Sequence, residues 1–202
     1  MLTGVILAGG RGAQMNGIHK SLLTIGSEKI IERQLRVLKS VCTEVIIVTD
    51  EPKAFLSIVG RDVRIITDFV QGRGPLGGMH AALSLCTSNS LWVVDCGMPF
   101  ICASAVKLML SLGRLYRWDA IIPFIGGRHE MLHGIYLKSC LSAVNVLLDQ
   151  GITELKHLKE LLNVYTVTET VFLENGISSA FTRKINDLGS YLEVEKMLSE
   201  RG

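Results

Sequence analysis

The sequence predicts an α/β domain of three layers, with a mostly parallel central sheet and helices on both faces. Three observations predict it: short Val- and Ile-rich runs recur, stretches with one apolar stripe at helical spacing separate them, and the runs are apolar at nearly every position. A strand with one wet face alternates apolar and polar residues, whereas a strand covered on both faces does not. Parallel neighbours then need crossovers, which are right-handed in almost every case.

In chain order, strands are expected at 2–7, 45–48, 63–66 and 91–94, each bounded by turn residues. Ile31, Leu35 and Leu38 mark one face of a helix over 28–40, and Ala81, Ala82 and Leu85 mark another that begins after Pro75. Beyond residue 100 come a helix over 103–112, striped by Val106, Met109 and Leu110, a strand at 120–122, an apolar run over 132–137 and a helix over 141–149. Gly126 and Gly127, between the two strands, predict a turn and some antiparallel pairing. A polar helix over 153–162, a strand over 164–168 and a last helix over 188–199, striped by Leu188, Tyr191 and Leu192, complete the pattern. No repeat, low-complexity segment or linker interrupts it, so residues 1–202 are expected to form one domain.

A domain of 202 residues buries about 70% of its unfolded surface and needs no disulfide or structural metal to hold its core. The five cysteines are odd in number and form no Cys-x-x-Cys pair, so reduced thiols are expected. A net charge of +2 with no Lys/Arg run excludes nucleic acid and anionic membrane as expected partners. With no long apolar run and no basic n-region ahead of one, a cytoplasmic location is expected.

Chemistry concentrates in the loops after the strands. Leu7-Ala8-Gly9-Gly10-Arg11-Gly12, continuing to Lys20, leaves the first strand with glycines that let backbone N–H groups approach an anion and with a cation towards either end. It is neither a Walker A loop nor a dinucleotide fingerprint, and a turn that only reverses the chain fits it equally well. The loop from Asp68 through Gly74-Pro75-Leu76-Gly77 follows the third strand, with Pro75 suited to a helix start. A tight strand-to-helix connection is the plainer account of it. Asp95 ends the fourth strand, where a parallel sheet offers a carboxylate to Mg²⁺ on bound phosphates, or merely caps a turn.

Taken together, Leu-Ala-Gly-Gly at 7–10, the 15–20 stretch, Gly74-Pro75-Leu76-Gly77-Gly78, the 96–100 run, the 128–136 segment and Ile185-Asn186 resemble the molybdenum cofactor guanylyltransferase family of the nucleotidyltransferase superfamily. That resemblance implies a Rossmann-like sheet of the nucleotide-diphospho-sugar transferase type. It also implies transfer of GMP from GTP to molybdopterin or molybdenum-molybdopterin, with release of pyrophosphate and use of Mg²⁺. By the same resemblance Leu7, Ala8, Gly9, Gly10, Arg11, Gly12 and Lys20 would hold the nucleotide phosphates, and Asp68, Gly74, Pro75, Leu76 and Gly77 the nucleoside. Lys20 and Asp95 would be catalytic, Asp95 and Asn186 would hold the metal, and His133 and Tyr136 would face the pterin. Molybdoenzyme-maturation proteins are implied as further partners, and the chain as a monomer or weak homo-oligomer.

Four positions depart from the family pattern: Gln14 stands for an arginine, His19 for an aspartate, Gly97 for the metal-binding aspartate and Lys184 for an asparagine. Residues two apart on a strand face the same way, so Asp95 is expected to point as residue 97 would, about 6–7 Å further back, with open space above Gly97. Two alternatives therefore stand beside the transferase: a nucleotide-binding relative with little or no turnover, and a nucleotidyltransferase for another phosphorylated acceptor. His129-Glu130-Met131-Leu132-His133 also matches the zinc-protease pattern His-Glu-x-x-His, but flanking glycines and the strand that follows argue against the helix this pattern requires.

Overall fold

The computed structural model describes residues 1–10, 14–15, 17–67 and 72–200. Strands β1 (Leu2–Leu7), β6 (Glu44–Val48), β7 (Val63–Ile66) and β8 (Ser90–Asp95) pair in parallel in the order β7-β6-β1-β8. Beyond β8 lie β11 (Gly134–Leu137), antiparallel to both its neighbours, then β9 (Ala120–Ile125), and at the far edge β12 (Val164–Thr168), parallel to β9. Strand order reverses direction between β1 and β8, and in open α/β sheets a crevice forms at such a switch point outside the carboxyl ends of the strands.

Successive residues go to opposite faces. Ile6, Ile47, Trp92 and Val94 pack with helices α1 (Ile30–Lys39), α3 (Ala103–Gly113) and α6 (Glu169–Glu174). Val5, Ile46, Leu91 and Val93 pack with α2 (Gly74–Leu85), α4 (Leu141–Asp149) and the short α5 (Leu158–Leu161). This is the two-faced burial that the continuous apolar runs predict. A smaller cluster of Ile25, Ile30, Ile185 and Val194 seats α7 (Leu188–Ser199) beside the site end of the sheet.

The Gly126–Gly127 turn is present, with φ of 55° and 78°, the left-handed pair that a two-residue hairpin needs. It joins β9 to β10 (Arg128–His129), which leads back along β9 towards β11. The remaining differences from the sequence expectations are local. The helix expected from residue 28 starts at Ile30, because Glu28–Lys29 pairs as β5 with Thr24–Ile25 as β4. The helix expected over 153–162 is a 3₁₀ turn at Leu155–His157 followed by α5. Glu169–Glu174, too short for a periodic stripe, and the hairpin of β2 (Gln14–Met15) with β3 (Ile18–His19) left no apolar signal to find. Among the described residues no helix is long and apolar enough to cross a membrane.

Candidate active site

The site is assembled at the carboxyl edge where β1 and β8 lie side by side, with Leu7 opposite Asp95. Gly9 and Gly10 follow β1, and the Gly10 amide donates to Asp50 Oδ2 at 3.2 Å, which holds the loop against the end of β6. Ala8 is buried and its amide is taken by the Val48 carbonyl at 2.8 Å, so of these three amides that of Gly9 is the one not engaged by a partner among the described residues. Leu76 and Gly77 are buried at the start of α2, whereas Gly74 and Pro75 are exposed. Arg11, Gly12 and Asp68 lie outside the described residues.

Lys20 is the distinctive group. It is only 7% exposed, and its ammonium reaches the neutral Asn186 Oδ1 at 3.4 Å. Among the described residues no carboxylate lies within ion-pair distance of it. A nearly buried cation with a neutral amide for a partner is costly to maintain, and an arriving anion removes that cost.

β8 ends at Asp95 and the chain turns at once. The Met98 amide donates to the Asp95 carbonyl at 3.1 Å, and the Gly97 amide donates to Asp95 Oδ1 at 2.7 Å. Fully buried Gln34 on α1 locks this turn, its Nε2 donating to the carbonyls of Asp95 and Met98, both at 2.8 Å. Two expectations are corrected here. The strand does not continue to residue 97, so the same-face argument stops at Asp95. Nor is there open space over Gly97: a β-carbon there would lie 2.8 Å from the Ile185 carbonyl oxygen, 3.1 Å from Asp95 Oδ1 and 3.4 Å from Lys20 Cδ. The same contacts show that Lys20, Asp95 and the 185–186 segment surround one point.

The donor set fits a divalent cation only of the kind that takes most of its ligands from phosphates and water. Asp95 offers Oδ2, since Oδ1 is engaged by Gly97, and Asn186 Oδ1 is shared with Lys20. Among the described residues no group of three or more His, Cys, Asp or Glu side chains is gathered for a metal.

Glu51, exposed at the end of β6, accepts from Gln14 Nε2 at 2.6 Å and lies 3.1 Å from His19 Nε2. Two of the four positions that depart from the family pattern, Gln14 and His19, are thus paired in the β2–β3 hairpin and share one carboxylate. Sequence reasoning missed Glu51 and Gln34; the signal available was a charged residue at a strand's carboxyl end and a lone amide on an otherwise apolar helix stripe.

His133 and Tyr136, expected on the pterin side, are corrected to core positions. Tyr136 is fully buried and donates to the Met131 carbonyl at 2.6 Å. His133 is fully buried against Trp92 and Phe181, with ring centroids at 5.1 and 4.6 Å, and burial pushes its pKa down to about 3. Its φ of 118° breaks the backbone between the two histidines, while His129 lies against Phe124 and Thr166. The two imidazoles therefore have separate surroundings and form no zinc-protease pair.

A glycine loop, a buried lysine and a strand-end carboxylate at the switch point of this mixed sheet define a nucleotidyltransferase-type fold. Residues 4–164 match the family model of the MobA-like NTP transferase domain, and the chain belongs to that family. It is 39% identical over 142 residues to a probable molybdenum cofactor guanylyltransferase of Pelotomaculum thermopropionicum, covering 70% of this chain and 66%, about two thirds, of that protein. A molybdenum cofactor guanylyltransferase of Desulfosudis oleivorans is 29% identical over 168 residues, covering 83% and 81%. Among solved structures, molybdopterin-guanine dinucleotide biosynthesis protein A from Archaeoglobus fulgidus superposes with a TM-score of 0.80 over 98% of this chain and 99% of that one, at 25% identity. A nucleotidyl transferase from Methanothermobacter, at 16% identity, shares the fold with a TM-score of 0.72 over 100% of this chain and 99% of that one.

Proposed function

We propose that this chain transfers GMP from GTP to the terminal phosphate of molybdopterin or molybdenum-molybdopterin and releases pyrophosphate. The observation that carries the proposal is the nearly buried Lys20 ammonium, which among the described residues has no carboxylate within ion-pair distance, set at the sheet switch point between the glycine loop and Asp95. Such a group calls for polyphosphate.

In the reaction an oxygen of the acceptor phosphate forms a bond to the α-phosphorus of GTP, and the bond from that phosphorus to the α,β-bridging oxygen breaks. The pyrophosphate that leaves carries the electron pair. No covalent help from the protein is required, so the residues act by alignment and by charge. Lys20 meets charge developing on the leaving group. The Gly9 amide and the start of α2 add further N–H donors and the positive end of a helix dipole. When bound, Mg²⁺ would be held by Asp95 Oδ2 and Asn186 Oδ1 and would neutralise phosphate charge. Gln34 fixes the turn from which Asp95 projects.

The test is Mg²⁺-dependent pyrophosphate release from GTP with molybdopterin supplied. Release that falls at least about tenfold in Asp95→Ala, with GTP still bound, supports the proposal. GTP binding without release over a broad range of metals and phosphorylated acceptors rejects the transferase and favours the nucleotide-binding alternative.

A further inference from the structure

Beside the nucleotide loops lies a cleft of about 360 Å³ whose walls include Pro75, Glu130, Met131, Leu132, Leu155 and Lys184. Pro75 begins α2, so one wall of the cleft belongs to the helix start already described. Its floor is apolar, with Met131 8% and Leu155 7% exposed. Its volume is within the range of small-molecule sites.

The segment 184–186 links this cleft to Lys20. The Ile185 amide donates to the Gly97 carbonyl at 2.8 Å, and the Ile185 side chain is buried with Ile25, Ile30 and Val194. Its neighbours project elsewhere: Asn186 to Lys20, and Lys184 to Glu130, Nζ to Oε2 at 3.4 Å. The segment is pinned again downstream, where the amides of Asn186 and Asp187 donate to Ser190 Oγ at 2.9 and 3.1 Å.

Lys184 differs from the other cleft lysine in its surroundings. Lys156 pairs with Glu154 at 2.5 Å, but both are more than 60% exposed and therefore screened by water and salt. The Lys184 side chain is 27% exposed and that of Glu130 only 12%. An ammonium has three donors. Glu130, within ion-pair distance, holds the group against the cleft wall, and one carboxylate does not exhaust its donors.

Resting on the transferase reading, we propose that Lys184 is a specificity-determining residue of the acceptor side. It takes the phosphomonoester of an acceptor whose flat body covers the Met131–Leu155 floor, and Glu130 is the positioning residue that presents it. The cation thus selects a phosphorylated acceptor over its dephosphorylated alcohol and sets the attacking phosphate beside the polyphosphate held at Lys20.

The experiment titrates the full chain with 6-hydroxymethylpterin monophosphate and with 6-hydroxymethylpterin, each with and without a GTP analogue bridged by methylene between the α- and β-phosphorus. In the wild type the phosphate ester is expected to bind at least about tenfold tighter than the alcohol. Lys184→Asn brings that ratio to within about twofold and Lys184→Arg keeps it, while both hold the GTP analogue within about twofold of wild type. Glu130→Gln lowers the ratio without abolishing it. A ratio that survives in Lys184→Asn, a wild type that does not discriminate, or a Lys184→Asn protein that loses the GTP analogue in the same proportion overturns the assignment. Failure of the wild type to bind the GTP analogue overturns the nucleotide reading instead, and the titrations without the analogue still decide Lys184.

Discussion

The amide of Ile185 donates to the carbonyl of Gly97 at 2.8 Å, and this bond brings the segment ahead of α7 onto the turn that follows β8. It sets Asn186 beside Lys20, and it also closes the space where a side chain at position 97 would stand.

Restoring the family's aspartate by Gly97→Asp is therefore expected to harm the protein rather than rebuild a metal site. Its β-carbon meets the Ile185 carbonyl at 2.8 Å and Asp95 Oδ1 at 3.1 Å. Overpacking of this kind costs about 1–3 kcal/mol, and each kcal/mol lowers Tm by roughly 2–4 °C in a chain of this size. Thermal unfolding checks it; an unchanged Tm would show that the segment moves aside freely.

Gln34→Met keeps the side-chain volume and removes both donors from the Asp95 and Met98 carbonyls. The buried Met98 carbonyl loses its partner, whereas the Asp95 carbonyl keeps the Met98 amide, so the change should cost about 1–2 kcal/mol in a urea titration. The Mg²⁺ concentration for half-maximal pyrophosphate release should rise as well, because Asp95 is no longer held. A loss of stability with an unaltered Mg²⁺ response would confine Gln34 to a packing role.

His133 gives the stability a pH dependence. Burial holds its pKa near 3 in the folded chain, against about 6.5 when unfolded. Between these values the unfolded state binds the proton and the folded state does not, so stability falls as pH drops below about 6.5, by up to about 1.4 kcal/mol per pH unit from this group. His133→Asn, which tolerates the positive φ, should flatten the slope of unfolding free energy between pH 6 and 4. Equal slopes in the two proteins would contradict the buried neutral imidazole.

Most of the sheet was legible because burial on both faces writes itself as unbroken apolar runs, as in Val45–Val48 and Leu91–Val94, and because Gly126–Gly127 marks its turn unambiguously. The site was legible only in its glycines and charges. Where the chain leaves the strand at Asp95, periodicity no longer predicts direction, so the closed space at Gly97 had to be seen. His133 and Tyr136 misled for the opposite reason: polar side chains suggested a ligand surface, while Tyr136 satisfies its hydroxyl inside the core and His133 packs between Trp92 and Phe181. Lys184 and Glu130 are distant in sequence and meet only in the folded chain.

The most direct measurement is calorimetric titration of GTP with Mg²⁺ into wild type and Lys20→Met, with thermal unfolding of both. A nearly buried ammonium placed for polyphosphate predicts saturable binding by the wild type, weakened at least about tenfold in Lys20→Met, with cooperative thermal unfolding retained in both proteins. Equal GTP affinity in the two proteins, or no saturable binding by the wild type, would contradict a triphosphate site at this edge of the sheet.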